Sequence, residues 1–387
     1  MIEAKTISIQ HDDAREAGAL ARGELFDVLG KAPDFVLLFV AGHLDAAVVM
    51  EGFGRDLPAR TRVVGCSTFA EIGEEGGLTR SVTAMGLCFG GGVEAEGFLV
   101  ENLAGREREA GRSLGEQAKA FGPKLLVLLA DGLVNTDRLV LGMQDVLGST
   151  FPIVGGMAID DGRFERAYEI LDRRVISGGA VALGLRGPVE LVAGAKSGWV
   201  PIGATHTCTR VENGNVVLEI DGRPALDLYL EYLGPRAGEM PSVSADFPIG
   251  IVGGLDGVPR VEGESIALLR SVKGVDEARR ALVFGGDIPE GAKIRMTRAT
   301  RDDVIRGANE VGAKLVASMP KPSLALFFDC GGRKMVLGPR YREELGETFA
   351  RLEGVPKVGF YCAGEFSPVD GVTMHHDETF TMALLRG

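Results

Sequence analysis

The stretch KVGFYCAGEF, residues 357–366, has an earlier counterpart in VVGCSTFAEI, residues 63–72. In both, a Val-Gly pair is followed six residues after the glycine by a glutamate and then a large apolar residue. Further Val-Gly corners occur at Gly155 and Gly253. Recurrence of such a corner about every hundred residues indicates duplication within each half of the chain and again between the halves.

The segments around these corners alternate between apolar strands and amphipathic helices. Residues 34–42 and 124–132 are short apolar runs typical of buried strands. Asn135 or Thr136 is predicted to cap one helix and Thr300 another. Since one helix cannot cover both faces of a three-stranded unit, the sequence predicts an α/β (α+β) fold. We expect duplicated strand-helix-strand-strand units that form two lobes, with mixed sheets packed together and helices outside.

A segment at residues 196–234 separates the two halves. It contains a predicted strand, a turn at Asp221-Gly222 and a helix that Pro224 opens. We place the boundary near residue 220, which gives an N-terminal domain of residues 1–220 and a C-terminal domain of residues 221–387. The same segment carries Trp199, the only tryptophan, and His206.

Composition excludes several classes of protein. A net charge of −12 and a pI near 5.1 argue against a nucleic-acid partner, which requires a basic surface. No apolar run approaches the roughly 18 residues that span a bilayer, and the acidic N-terminus does not resemble a signal peptide, so a cytoplasmic protein is expected. The five cysteines have no paired short spacing and are predicted to be free, buried thiols.

Three long segments carry a resemblance to a known family. They are GWVPIG with NGNVVLEIDGRPALDLYLEYLG, LLADGLVNTDRLVLGMQDVLGSTFPIVGGMAIDDGRF, and LALFFDCGGRKMVLG with VPKVGFYCAGEFSPVDGVTMHHDETFTMALL. Together they closely resemble the two-part FIST sensory module over nearly the whole chain.

The resemblance implies an intracellular sensor that binds a small-molecule ligand. FIST modules occur with histidine kinases, cyclic-dinucleotide enzymes and chemoreceptors. No such output domain is recognised here, so the implied partner is a separate protein such as a histidine kinase or a diguanylate cyclase or phosphodiesterase. The sequence leaves a homodimer open.

Some stand-alone FIST proteins of similar size bind haem and sense nitric oxide, which implies a histidine as axial ligand. His206, beside Trp199, is our first choice to hold the iron of haem b. His375 and His376 are expected in a loop before the last strand, where they fasten the loop beside Glu365. The alternative is a metal-free sensor of an amino acid or another small metabolite.

Glu71 and Glu365 are predicted to accept hydrogen bonds from the N–H groups of their own glycine corners, and corners from the two halves are expected to line one crevice. The predicted ligand-binding residues are therefore His206, Trp199, Glu71, Glu365 and His375.

An enzyme is the less favoured interpretation. The sequence has no P-loop, no dinucleotide-binding glycine motif and no nucleophile elbow. Cys330 is the candidate nucleophile, with a thiol pKa lowered by Arg333 and Lys334 and with His375 or His376 as base. A packed thiol explains the same residue more simply, so no catalysis is expected.

Overall fold

The computed structural model describes residues 1–240, 242–252 and 268–387, and the predicted corner at Gly253 lies outside them. The chain begins with a unit whose elements follow the order strand, helix, strand, helix, strand, hairpin and strand. Its elements are β1 (Ile2–Gln10), α1 (Ala14–Leu29), β2 (Phe35–Ala41), α2 (Ala46–Phe53), β3 (Arg62–Thr68), β4 (Ala70–Gly73), β5 (Gly76–Leu78) and β6 (Ser81–Phe89).

A second unit repeats this order. Its elements are β7 (Glu94–Val100), α3 (Glu107–Phe121), β8 (Leu125–Asp131), α4 (Thr136–Leu147), β9 (Ile153–Ala158), β10 (Glu169–Leu171), β11 (Arg174–Ile176) and β12 (Ala180–Arg186).

The third unit begins with β13 (Glu190–Lys196) and is interrupted by a long insertion. The insertion contains β14 (Val200–Glu212), β15 (Val216–Ile220), β16 (Arg223–Pro224), α5 (Ala225–Leu233), β17 (Ile249–Ile251), β18 (Leu268–Arg270), β19 (Val272–Asp276), β20 (Ala281–Phe284) and β21 (Lys293–Arg298). The unit then continues with α6 (Arg301–Ser318), β22 (Leu324–Cys330), α7 (Gly331–Leu337), α8 (Glu343–Arg351), β23 (Lys357–Cys362), β24 (Glu365–Val369), β25 (Val372–His376) and β26 (Phe380–Arg386).

The hairpin of each unit leaves its own sheet and joins the sheet of another unit. β4 lies beside β23, β10 beside β3, and β24 beside β9. The resulting strand orders are β1-β6-β2-β3-β10-β11, β7-β12-β8-β9-β24-β25 and β13-β26-β22-β23-β4-β5. The exchange is cyclic, so the three sheets close into one body, which we call the three-sheet lobe.

The described residues between 200 and 298 form a second body, the inserted lobe. Its strands follow the order β18-β17-β21-β14-β15-β20-β19, with β16 beside β15. Leu226 and Tyr229 of α5 pack on this sheet against Ile249 and Phe284 in a separate apolar core. The two bodies fit the predicted pair of lobes, whereas the division of the chain at residue 220 stays a prediction.

The inner faces of the three sheets meet in one shared core, and the helices pack on the outer faces. Phe39, Leu129 and Phe328 represent the three units in the inner core. Leu25 of α1 and Met143 of α4 pack in the outer cores. The predicted fold class, mixed sheets packed together with helices outside, is confirmed.

Capping side chains fix the beginnings of several helices. Asn135 accepts the N–H of Asp137 at the beginning of α4, and Thr300 forms a capping box with Asp303 at the beginning of α6, as predicted. Helices α1 and α3 were not predicted. His375 and His376 were expected in a loop, which is wrong, because both lie in β25.

The corner glycines occupy equivalent positions in the strand register of the three units. Gly65 lies opposite Leu38 and Gly359 opposite Phe327 across a parallel strand pair, and Gly155 has the same position in the second unit. A Cβ atom on any of these glycines would overlap the carbonyl oxygen of the residue opposite. The corner therefore needs glycine because another backbone approaches it closely.

We expect Gly359→Ala to lower the free energy of unfolding by about 1–3 kcal/mol, because the added methyl group meets rigid backbone. Gly346→Ala is the matched control, since an added Cβ meets nothing within 4 Å in α8, and it should stabilise by about 0.5–1 kcal/mol. Urea denaturation measures both changes. Equal stability of the two variants would contradict the close approach.

Candidate ligand-binding site

Three buried glutamates, one in each unit, lie in the exchanged hairpins. Glu71, Glu169 and Glu365 are each 0% exposed. Each directly precedes the residue that lies opposite a corner glycine of the receiving sheet. The glutamate that follows the Val-Gly corner in the sequence is therefore part of the exchange between units.

The glutamates accept backbone N–H groups where the last strand of their own unit begins. Glu71 accepts the N–H of Ser81 at 3.0 Å, and Glu365 accepts the N–H of Thr379 at 3.2 Å. The predicted donors, in the Val-Gly turn itself, are therefore wrong. Each glutamate instead fastens an exchanged hairpin to the strand that closes its unit.

Sequence reasoning missed Glu169, which accepts the N–H of Gly179 at 3.2 Å. It lies fourteen residues after Gly155 rather than six, because extra residues separate β9 from β10. One sequence feature could still have identified Glu169. As in the first unit, a glutamate is followed by an isoleucine where the short hairpin begins.

Burial raises the pKa of all three carboxyl groups. The pKa of Glu71 is raised to about 7 by burial, which outweighs the hydrogen bonds from Ser81 and Thr68. The pKa of Glu169 is raised well above its usual range by burial and by Asp131, and that of Glu365 by burial and by Asp377.

We expect Glu71→Gln to change how stability depends on pH. The unfolded Glu71 carboxyl ionises near 4.5 and the folded one near 7, so the folded state holds the proton longer and the wild type loses stability as pH rises through this window. The variant lacks this loss. The quantity to follow is the free energy of unfolding of Glu71→Gln relative to that of wild type. Between pH 4.5 and pH 7 the variant should gain on the order of 1–3 kcal/mol over the wild type.

Guanidinium denaturation at several pH values measures this difference. The exposed Glu75 provides the control, since Glu75→Gln should follow the wild-type pH profile. A Glu71→Gln profile parallel to that of wild type would show that burial does not hold the proton on Glu71.

A cavity of about 590 Å³ lies between the three-sheet lobe and the inserted lobe. Its volume is within the range of small-molecule sites. Most of its lining side chains are apolar, among them Phe69, Met157, Ile159, Val272, Phe284 and Met335.

A few polar groups converge on one wall of this interlobe cavity. Ser271 directly precedes β19 in the inserted lobe and Lys273 lies in it, whereas Cys330 ends β22 and Glu378 lies in the connection between β25 and β26. Apolar walls with a few placed polar groups are typical of a ligand site. Of the predicted ligand-binding residues, none lines this cavity.

Glu378 is 2% exposed and adopts a left-handed backbone conformation with φ of 50°. Its Oε1 accepts the hydroxyl of Ser271 at 2.8 Å, whereas its Oε2 is buried without a hydrogen-bond partner in the described structure. Burial raises the pKa of Glu378 to about 7, although Lys273 and the Ser271 hydroxyl act in the opposite direction.

The Lys273 ammonium has its own partners. It donates to the carbonyl of Ala363 at 3.2 Å and lies 3.6 Å from Oδ1 of Asp377, which is fully buried. Burial favours neutral lysine, but Asp377, Cys330, Glu378 and Glu365 together outweigh it, and the pKa of Lys273 is raised. Lys273 therefore stays charged and balances Asp377.

Cys330 lines the cavity but does not have the predicted character of a nucleophile. Burial, together with Glu378 and Glu365, raises its pKa well above the ordinary thiol value. The predicted lowering of that pKa by Arg333 is wrong, because the Arg333 guanidinium is paired with Asp329 and Glu344. All five cysteines are free and buried, as predicted.

A buried ion pair connects the two lobes beside the cavity. The Arg270 guanidinium, 3% exposed at the end of β18, donates to both carboxylate oxygens of Asp137 in α4 at 3.1 Å. It also donates to the carbonyl of His375 at 3.1 Å. Arg270 and His375 lower the pKa of Asp137 against the effect of its burial, so this carboxylate stays ionised.

The structure separates His206 from the interlobe cavity. Its Nδ1 lies 2.7 Å from Oδ2 of Asp221 and its Nε2 lies 2.9 Å from the Tyr232 hydroxyl. Both ring nitrogens are thus engaged, and an axial bond to iron would have to displace one of these partners. The residues around His206 do not fit haem ligation, which stays a prediction.

Trp199 and His375 occupy other environments. Trp199 packs against Leu269 and lines a second cavity of about 400 Å³ together with His376. His375 is buried between Asp137 and Asp377, with ring nitrogens 3.5 Å and 3.8 Å from their carboxylates. Among the described residues, no group of three or more His, Cys, Asp or Glu is arranged to hold a metal ion. No helix in the described ranges is long and apolar enough to cross a membrane.

Comparison with known families assigns both parts of the chain. The FIST N domain matches residues 34–223 and the FIST C domain matches residues 225–368. The chain belongs to the FIST family. FIST domains are sensory domains of signalling proteins, and a sensory rather than catalytic role fits this membership.

Relatives of similar length occur in mycobacteria. An uncharacterized protein of Mycobacterium tuberculosis is 29% identical over 379 residues, which cover 96% of this chain and 95% of the relative. One from Mycobacterium bovis is 25% identical over 376 residues, covering 96% of each chain. An uncharacterized protein of Methanocaldococcus jannaschii is 28% identical over 278 residues, covering 65% of this FIST protein and 52% of the relative.

Solved structures give weaker similarities. A cyanuric acid hydrolase from A. caulinodans aligns with a TM-score of 0.32 and 11% identity, covering 100% of this chain and 99% of the other. A chorismatase aligns with a TM-score of 0.35 and 8% identity, at the same coverage. Neither similarity carries an argument about fold or function.

Proposed function

We propose that this FIST protein is a sensor that binds a small organic ligand, without a metal, in the interlobe cavity, and that a separate signalling protein reads its occupancy. The observation that carries the proposal is that both lobes contribute walls to one largely apolar cavity. A ligand there contacts both bodies at once, so its binding energy depends on how the lobes are placed.

The ion pair between the lobes offers a route for the signal. Asn135 lines the cavity two residues before Asp137, and Ser271 lines it directly after Arg270. A ligand that contacts these wall residues therefore acts at both ends of the Arg270–Asp137 bond. Because the pair is buried, even a small displacement changes its free energy substantially.

The cavity mouth provides a surface for a partner to read. Leu133, Phe164 and Met335 line the cavity and are 44%, 52% and 49% exposed. Exposed apolar side chains grouped around one opening are typical of interaction sites. A histidine kinase or a diguanylate cyclase or phosphodiesterase is the partner class that family membership suggests.

Haem with nitric-oxide sensing stays the alternative that the sequence resemblance suggests. It is not favoured by the hydrogen bonds of His206, and no histidine lines the interlobe cavity among the described residues. Absorbance of the protein titrated with haem tests it: a Soret band that disappears in His206→Ala would support haem over a metal-free ligand.

We expect Val283→Trp to abolish ligand binding, because Val283 lines the cavity next to the core residue Leu282 and the indole would fill the space. A thermal-shift screen of metabolites followed by calorimetry measures the effect. Hits that stabilise the wild type should lose at least about tenfold in affinity in this variant.

The control is Val28→Trp, which adds the same side chain at a position 47% exposed on α1 and should bind like the wild type. If the hits bind Val283→Trp and wild type equally, the ligand site lies elsewhere and the proposal is wrong.

A further inference from the structure

The charges on the cavity wall do not balance. Lys273 is paired with Asp377, and Arg270 is paired with Asp137. Within the described residues the Glu378 carboxylate forms no ion pair, and its one hydrogen bond is to the neutral hydroxyl of Ser271. The wall therefore presents a carboxyl group with no cation within ion-pair distance among the described residues, although Lys273 is near enough to lower its pKa.

The second oxygen of Glu378 requires a partner. Oε2 is buried and accepts no hydrogen bond in the described structure, and an unsatisfied buried carboxylate oxygen costs free energy. The left-handed backbone of Glu378 keeps this side chain on the cavity wall at a further cost in strain. Groups held in this way are frequently ligand contacts.

The remaining walls suit a positive charge attached to an apolar body. Phe69, Phe164 and Phe284 present aromatic rings, and Met157 and Met335 present polarizable thioethers. The faces of aromatic rings attract cations within roughly 6 Å, and methionine adapts to apolar groups of varied shape. Lys334 already lies 4.8 Å from the centre of the Phe69 ring, which shows that this ring accepts a cation.

Resting on the proposed function, we infer that the interlobe cavity takes a small organic amine with an apolar body, whose ammonium group binds Glu378. Among the described residues that line the cavity, Lys273 is the one cation, and it already lies 3.6 Å from Asp377, so a ligand carboxylate meets no unpaired lining cation. A zwitterion or an anion should therefore bind more weakly than a simple amine of the same size.

Four probes of similar shape test this ligand class by calorimetry: 2-phenylethylamine, phenylalanine, phenylacetate and 2-phenylethanol. We expect the amine to bind at least about tenfold more tightly than the other three, the usual gain from a charge-assisted hydrogen bond. Its affinity should increase from pH 6 to pH 8, because the pKa of Glu378 is raised to about 7 and the carboxyl must ionise.

Glu378→Gln should reduce the affinity for the amine by about tenfold or more and remove its pH dependence, while the affinity for 2-phenylethanol is retained. Retained binding of the neutral probe shows that the variant is folded. Glu75→Gln, which changes an exposed glutamate, should bind all four probes like the wild type.

The outcomes separate this inference from the proposed function. If phenylacetate or phenylalanine binds as tightly as the amine, or if Glu378→Gln keeps full affinity for the amine, the ligand class is wrong. The inferred ligand class is also wrong if Val283→Trp weakens the binding of metabolites while none of the four probes binds to the wild type. If no compound is sensitive to Val283→Trp, the proposed function itself fails.

Discussion

The close approach of each corner glycine to the carbonyl group of its parallel neighbour is the constraint on which the fold depends. It lets each of these strands lie close against its parallel neighbour, three residues before the strand ends and the chain continues toward the exchanged hairpin. The hairpin that follows completes a sheet of another unit, and the buried glutamate at its beginning bonds it to the closing strand of its own unit. Because the exchange is cyclic, no unit can complete its sheet alone, and the inner core forms only when all three are present.

This closure explains why so much charge can be buried. The glutamates of the three hairpins are fully buried and raised in pKa, which costs folding free energy unless they are protonated or well bonded. Backbone N–H groups of the closing strands supply those bonds. Each glutamate thereby ties its exchanged hairpin to the closing strand of its own unit, a polar contact that an apolar residue of similar size would not form.

Much of the framework could be predicted from local pattern. The buried strands, the caps at Asn135 and Thr300 and the recurring corners depend on residues close in sequence. Glu169 was missed because its spacing differs. The exchange of hairpins could not be predicted, since no local pattern indicates which sheet a short strand joins.

The candidate site was even less accessible to sequence reasoning. Ser271 and Glu378 are 107 residues apart and meet only when the inserted lobe lies against the third unit. Histidine and tryptophan were emphasised because they are rare in this chain, yet His206 is occupied by Asp221 and Tyr232 within the inserted lobe. Rarity of a residue type therefore carries less information here than an unsatisfied carboxylate oxygen, which becomes visible only in three dimensions.

The candidate site lies where the sequences and connections of the three units differ. By strand register, the position of Cys330 is occupied by Ala41 in the first unit and by Asp131 in the second. In the described structure only the third unit receives an insertion, and the inserted lobe covers strand ends of both the second and the third unit. Repetition supplies a body with three equivalent ends, and the inserted lobe faces those of the second and third units. In the proposed function the signal passes between the three-sheet lobe and the inserted lobe, so the wall that they share is the place where a bound ligand would have the largest effect on their relation.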